Sequence, residues 1–159
     1  MSIATRIARQ FDIVWDTIDD TIALIPDDEW TAGEEGTLIP VVQLAHVAAA
    51  VALYLPPPPG KHWPSWCESA SGNFYWEVGP DPWPSKEEFG RYCAGVKAEV
   101  ATWLAALDDA AMLEETITDN WRGNCLLDLT MYVLRHSQHH LGDVFSDLRR
   151  RGIDRPKWR

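Results

Sequence analysis

The stretch YVLRHSQHHLGDVF, Tyr132 to Phe145, places three of the chain's five histidines in one apolar segment. Read with a helical period, Leu126, Leu129, Val133, His140, Val144 and Leu148 fall largely on one face of a helix running from about Asn124 to Arg151. Imidazole is a poor core-filler, so its presence on such a helix calls for a chemical reason. Residues four apart stand one turn apart on the same face, the spacing of His136 and His140. With the centre of the face taken from Leu126, Thr130, Val133, Ser137, Leu141, Val144 and Leu148, at about 100° per residue, His140 lies roughly 60° from that centre, His136 about 100° and His139 about 160°. His140 therefore points in, His136 flanks it and His139 points out. Arg149, Arg150 and Arg151 suit the negative end of the helix dipole, and Gly152 suits a C-cap.

Three more helices are read upstream. Ile3, Ile7, Phe11, Val14, Ile18, Ile22 and Ile25 form an apolar stripe that Pro26 ends. The acidic connection PDDEWTAGEEG, beginning at Pro26, is expected to be exposed. A second helix can start at Pro40, with Val42, His46, Ala49 and Leu53 sharing a face, and PPPPG (Pro56 to Gly60) ends it. A third is announced by Ser85 and Glu88, spaced as a capping box, and carries the stripe Phe89, Tyr92, Val96, Val100, Trp103 and Leu107. No segment alternates with period two over a useful length. The expected fold is an all-α four-helix bundle forming a single domain over residues 1–159. The linker from Pro56 to Pro84 is long and rich in proline and tryptophan. Trp63, Trp66, Trp76 and Trp83 either cap one end of the bundle or wall a ligand pocket.

Composition narrows the function. With Lys+Arg 14 against Asp+Glu 24, the formal charge is -10, which speaks against nucleic-acid binding because phosphates would be repelled. The longest apolar run, Val47 to Leu55, is too short for a bilayer, and the start MSIATRIARQFDIVWD has no signal-peptide pattern, so the expected location is cytoplasmic. Cys67, Cys93 and Cys125 form no CxxC pair and suggest no disulfide framework; Cys93 reads as a small buried hydrophobe. Gly-rich phosphate loops and GxSxG elbows are absent.

His46 is the odd residue of the run VVQLAHVAAAVALYL, at a position where its helix calls for an inward side chain. A buried neutral imidazole needs partners for both ring nitrogens, and a metal satisfies one of them. His46, His136 and His140 are therefore the candidate ligands of a divalent metal ion with an open position for water or substrate. Zinc is the default, and nickel or iron would also accept imidazoles. Asp143 reads as a group orienting a histidine or as plain surface.

These residues resemble the DinB/YfiT-like family of metal-binding four-helix bundles over nearly the full length. The similarity rests on LIPDDEW closing the first helix, QLAHVAAAVALYL in the second and RHSQHHLGDV in the fourth. The resemblance implies His46, His136 and His140 as metal ligands, and a Gly142 that lets a neighbouring element come close. The chain departs from the family pattern at Asp143, where Gln is common. Activities in the family imply a thiol S-transferase or a hydrolase acting on a small electrophile, with a low-molecular-weight thiol as a candidate partner. The family also implies pairing of bundles into a homodimer. The other expectation is a non-catalytic metal-binding or dimerising module of stress-response type.

Overall fold

A computed structural model describes residues 1–33, 38–55, 83–117 and 121–157. Among these the chain is all helical: α1 (Ile3–Leu24), α2 (Pro40–Tyr54), α3 (Lys86–Ala105), the short α4 (Asp109–Leu113) and α5 (Leu126–Arg150). The four long helices form the expected bundle. α1 packs on α3 and α5, and α2 packs on α5 and α3, so the ring order is α1, α3, α2, α5. α4 leans on α5 and α1. Among the described residues no helix is long and apolar enough to cross a membrane. Trp63, Trp66, Trp76 and Cys67, and the PPPPG stop, lie outside the described residues.

Local chemistry accounts for the ends. Ser2 caps α1 by accepting from the Thr5 N–H, and Ser85 and Glu88 form the full capping box of α3. α2 starts with Pro40, whose missing N–H costs nothing at a first turn. α5 ends at Gly152, whose φ of 74° suits a left-handed cap, and the Ile153 N–H returns to the Leu148 carbonyl at 2.9 Å.

The faces depart from expectation in instructive ways. α1 buries Ile7, Phe11, Val14 and Ile18 as its stripe predicts. α2 is buried all round: every residue from Pro40 to Ala52 except His46 is buried, while Leu53, expected to face inward, is 46% exposed. A helix buried on all sides has no single apolar face, so periodicity alone cannot orient it. α3 buries Phe89, Val96 and Val100 of its expected stripe, and Cys93 as read, while Tyr92, Trp103 and Leu107 are only half-buried and Leu104 fills the interior instead.

The acidic connection after α1 is also not simply exposed. Trp30 is buried, donates its indole N–H to the Pro84 carbonyl at 2.8 Å and stacks at a tilt on Phe89. Arg151 ties the same connection to the end of α5. It pairs with Asp147 and Glu29 at 2.7 and 2.8 Å and donates to the Ala32 and Leu38 carbonyls. Arg151 thus does more than complement the helix dipole.

Candidate metal centre

His46 is carried by α2 and His136 and His140 by α5, the helix against which α2 packs most extensively. The i,i+4 pair on α5 brackets the level of His46, so all three rings meet at the seam. His46 Nε2 stands 3.2 Å from His136 Nε2 and 3.2 Å from His140 Nε2. The three rings approach edge-on, with centroids 4.4 to 4.8 Å apart. His139 points away and its side chain is 70% exposed, whereas that of His140 is 19% exposed. The wheel reading of which histidines turn inward agrees with this arrangement.

The electrostatics keep these rings neutral. Burial pushes His46 down to about 3, helped by the charges that His140 and His136 would carry. Burial also pushes His136 down to about 4, with His140 and His139 adding to the effect. His140 is lowered by burial first and by His139 second, while the Asp143 carboxylate pulls it back up. A neutral imidazole whose proton sits on Nδ1 offers a lone pair from Nε2. Three such lone pairs facing one another repel unless something positive lies between them.

The donor set fits a metal ion. Nitrogen ligands about 2.0–2.1 Å from a tetrahedral zinc stand about 3.3–3.4 Å from one another. The observed 3.2 Å separations match this spacing closely. The three side chains form a group that could hold a metal ion. A second grouping, His139, His140 and Asp143, lies on the outer side of the same ring.

A family model for the DinB superfamily matches residues 10–144. The chain belongs to the DinB superfamily. The match runs through α2 and most of α5 and so includes all three inward histidines. A search of curated proteins finds no match.

One expectation drawn from the DinB resemblance finds no support among the described residues. Gly142 is exposed, and a Cβ built on it would meet nothing within 4 Å. Among the described residues no neighbouring element needs that glycine. Other residues that shape the surroundings were not singled out in the sequence. Tyr54, Trp121 and Tyr132 form an edge-to-face corner, with Tyr54–Tyr132 centroids 5.7 Å apart and Trp121–Tyr132 5.1 Å apart. Tyr132 and Tyr54 reach His136 at 5.9 and 6.3 Å. The Arg122 guanidinium lies 5.0 Å over Tyr54 and 4.9 Å over Trp121. Burial raises the Tyr132 hydroxyl pKa, and the neighbouring Tyr54 adds to the effect, so this phenol keeps its proton. Tyr132 precedes His136 by one helical turn, which its sequence position signals. Trp121 and Arg122 come from the turn before α5 and carry no such signal.

Proposed function

We propose that His46, His136 and His140 hold a divalent cation, zinc by default, and that the chain is a metal-dependent enzyme. Its reaction is thiol S-transfer or hydrolysis on a small electrophilic substrate, a low-molecular-weight thiol being the co-substrate in the first case. The observation that carries this reading is the meeting of His46 Nε2 with His136 Nε2 and with His140 Nε2, each at 3.2 Å, across two different helices. A cation bound by three neutral ligands keeps its full charge and, when present, lowers the pKa of a thiol or water molecule placed beside it.

The chain's own residues supply the rest. α2 and α5 fix the three rings by helix packing, so little ordering entropy is left to lose when an ion arrives. The Tyr54, Trp121 and Tyr132 corner offers an apolar wall beside His136, suited to the body of a small molecule. Tyr132, holding its proton, can donate a hydrogen bond along that wall.

Metal analysis of protein purified without a histidine tag tests the first half. Near-stoichiometric metal is expected, lost in His46→Ala, His136→Ala and His140→Ala and retained in His139→Ala. Equal losses at His136 and His139, or no metal in the unaltered chain, would sink the assignment. Turnover of epoxide or chlorinated substrates with a panel of thiols tests the second half. A metal-loaded protein inert toward all of them, and toward hydrolysable esters and amides, would leave a non-catalytic binding module instead.

A further inference from the structure

His140 uses its two ring nitrogens differently. Nε2 faces His46, while Nδ1 is buried and has no hydrogen-bond partner. A proton on this nitrogen, left buried and unpaired, would be costly, so it needs an acceptor. One stands close by on the same helix. Asp143 Oδ2 lies 3.7 Å from His140 Nδ1, three residues on, where the turn of the helix brings it over the ring. Closing that gap to hydrogen-bond length requires a shift of about 0.9 Å, within reach of a side-chain rotation. The Asp143 side chain is 46% exposed and has room to make it.

We infer that Asp143 is a positioning residue: its carboxylate accepts the His140 Nδ1 proton and thereby holds Nε2 as the lone-pair donor facing His46 and His136. The inference rests on the metal-site reading above. A carboxylate on the far nitrogen fixes the tautomer, sets the ring angle and makes the imidazole a stronger donor. His139 Nε2 also lies 3.7 Å from Oδ2, on the solvent side, and is not needed for the ion. His136 Nδ1 is buried and unpartnered in the same way, and the groups of possible ligands found among the described residues put no carboxylate beside it. The two α5 ligands are therefore unequal, and His140 is the stronger.

Zinc affinity measured by competition with a chromophoric chelator tests this on the full chain. Asp143→Ala is expected to bind zinc 10–100-fold more weakly, with the melting temperature of the zinc-free protein unchanged. Asp143→Asn keeps an accepting oxygen without the charge and should fall between. In ¹⁵N spectra of the zinc-loaded protein, His140 should be the Nδ1–H tautomer, with its Nδ1 proton exchanging faster in Asp143→Ala than in the unaltered chain. His139→Ala should bind zinc within about threefold of the unaltered protein. Unchanged affinity in Asp143→Ala overturns the inference and leaves the three-histidine site standing. A second bound zinc that disappears in both Asp143→Ala and His139→Ala also overturns it, because Nδ1 would then be a ligand. Failure of the unaltered chain to bind zinc removes the site itself, a result distinct from both.

Discussion

Acidifying the metal-free protein from pH 6 to pH 5 should cost it about 2 kcal/mol of stability through His46 and His136 alone. Both are bases held below their unfolded value of 6.5, at about 3 and about 4. The unfolded chain therefore binds more protons than the folded one throughout the window between those values. Stability rises with pH wherever that holds, so it is intact above 6.5 and is lost progressively as pH falls toward 4 and then 3. An unfolded histidine with pKa 6.5 gains about 1.2 kcal/mol of protonation free energy between pH 6 and 5, while the folded rings gain almost none. Two such groups give about 2.4 kcal/mol, and solvent screening at the half-exposed His136 trims this to about 2.

In a domain of this size, about 2 kcal/mol lowers the melting temperature by roughly 4–8 °C. The assay is denaturant unfolding of chelator-treated protein at the two pH values, beside the double variant His46→Gln, His136→Gln. The variant keeps every other titrating group and should lose roughly 2 kcal/mol less across the same step. Equal losses in the two proteins would show that the rings are not held neutral. The facing lone pairs would then have no basis.

Arg151→Met should destabilise the chain by about 3 kcal/mol, because the buried Asp147 would lose its closer cation, keeping only the exposed Arg150 at 3.0 Å, Glu29 would lose its partner, and the Ala32 and Leu38 carbonyls would lose a donor. Thermal melts should show a drop of roughly 6–12 °C, against less than about 2 °C for the exposed Arg149→Ala. Gly123→Ala should cost about 2 kcal/mol or more: its φ is 108°, and a Cβ there would sit 2.0 Å from that of Asp128, whose carboxylate accepts from the Asn124 N–H. Gly142→Ala should do the opposite, stabilising by about 0.5–1 kcal/mol with zinc affinity intact, since the site is helical and open. Loss of stability there would show that something does press against that glycine.

Much of the bundle is legible in the sequence because α1 and α5 each bury one face and expose the other. Their apolar steps then follow the helical period, and the same count sorts His140 from His139. α2 defeats that method. It is apolar on every side, so the stripe through Leu53 had no polar face to check it against, and Leu53 proves exposed. On α3, Tyr92 and Trp103 look like core residues by size, yet they are half-buried and Leu104 fills the interior beside Phe89, Val96 and Val100. α4 has five residues, too few for a period, and only Asp108, which caps it, marks it. The burial of Trp30 and the second role of Arg151 escape the local pattern for another reason: beyond the nearby Asp147, their partners are Pro84 in one case and Glu29, Ala32 and Leu38 in the other, all far away in sequence. Local pattern carries no trace of such contacts.

The position of the three histidines within the fold is what makes their chemistry workable. A fully exposed imidazole would titrate near 6.5 and compete poorly for a metal in mildly acidic conditions. A fully buried one would be neutral but out of reach of any substrate. His46 is the one residue between Pro40 and Ala52 that is not buried, and His136 and His140 are half-buried beside it. The seam between α2 and α5 therefore gives all three rings enough burial to stay neutral and enough exposure to meet a ligand. An amphipathic helix could supply that edge only along its flank. A helix buried everywhere from Pro40 to Ala52 except at one histidine supplies it at a single level, and His46 stands there, opposite the pair on α5.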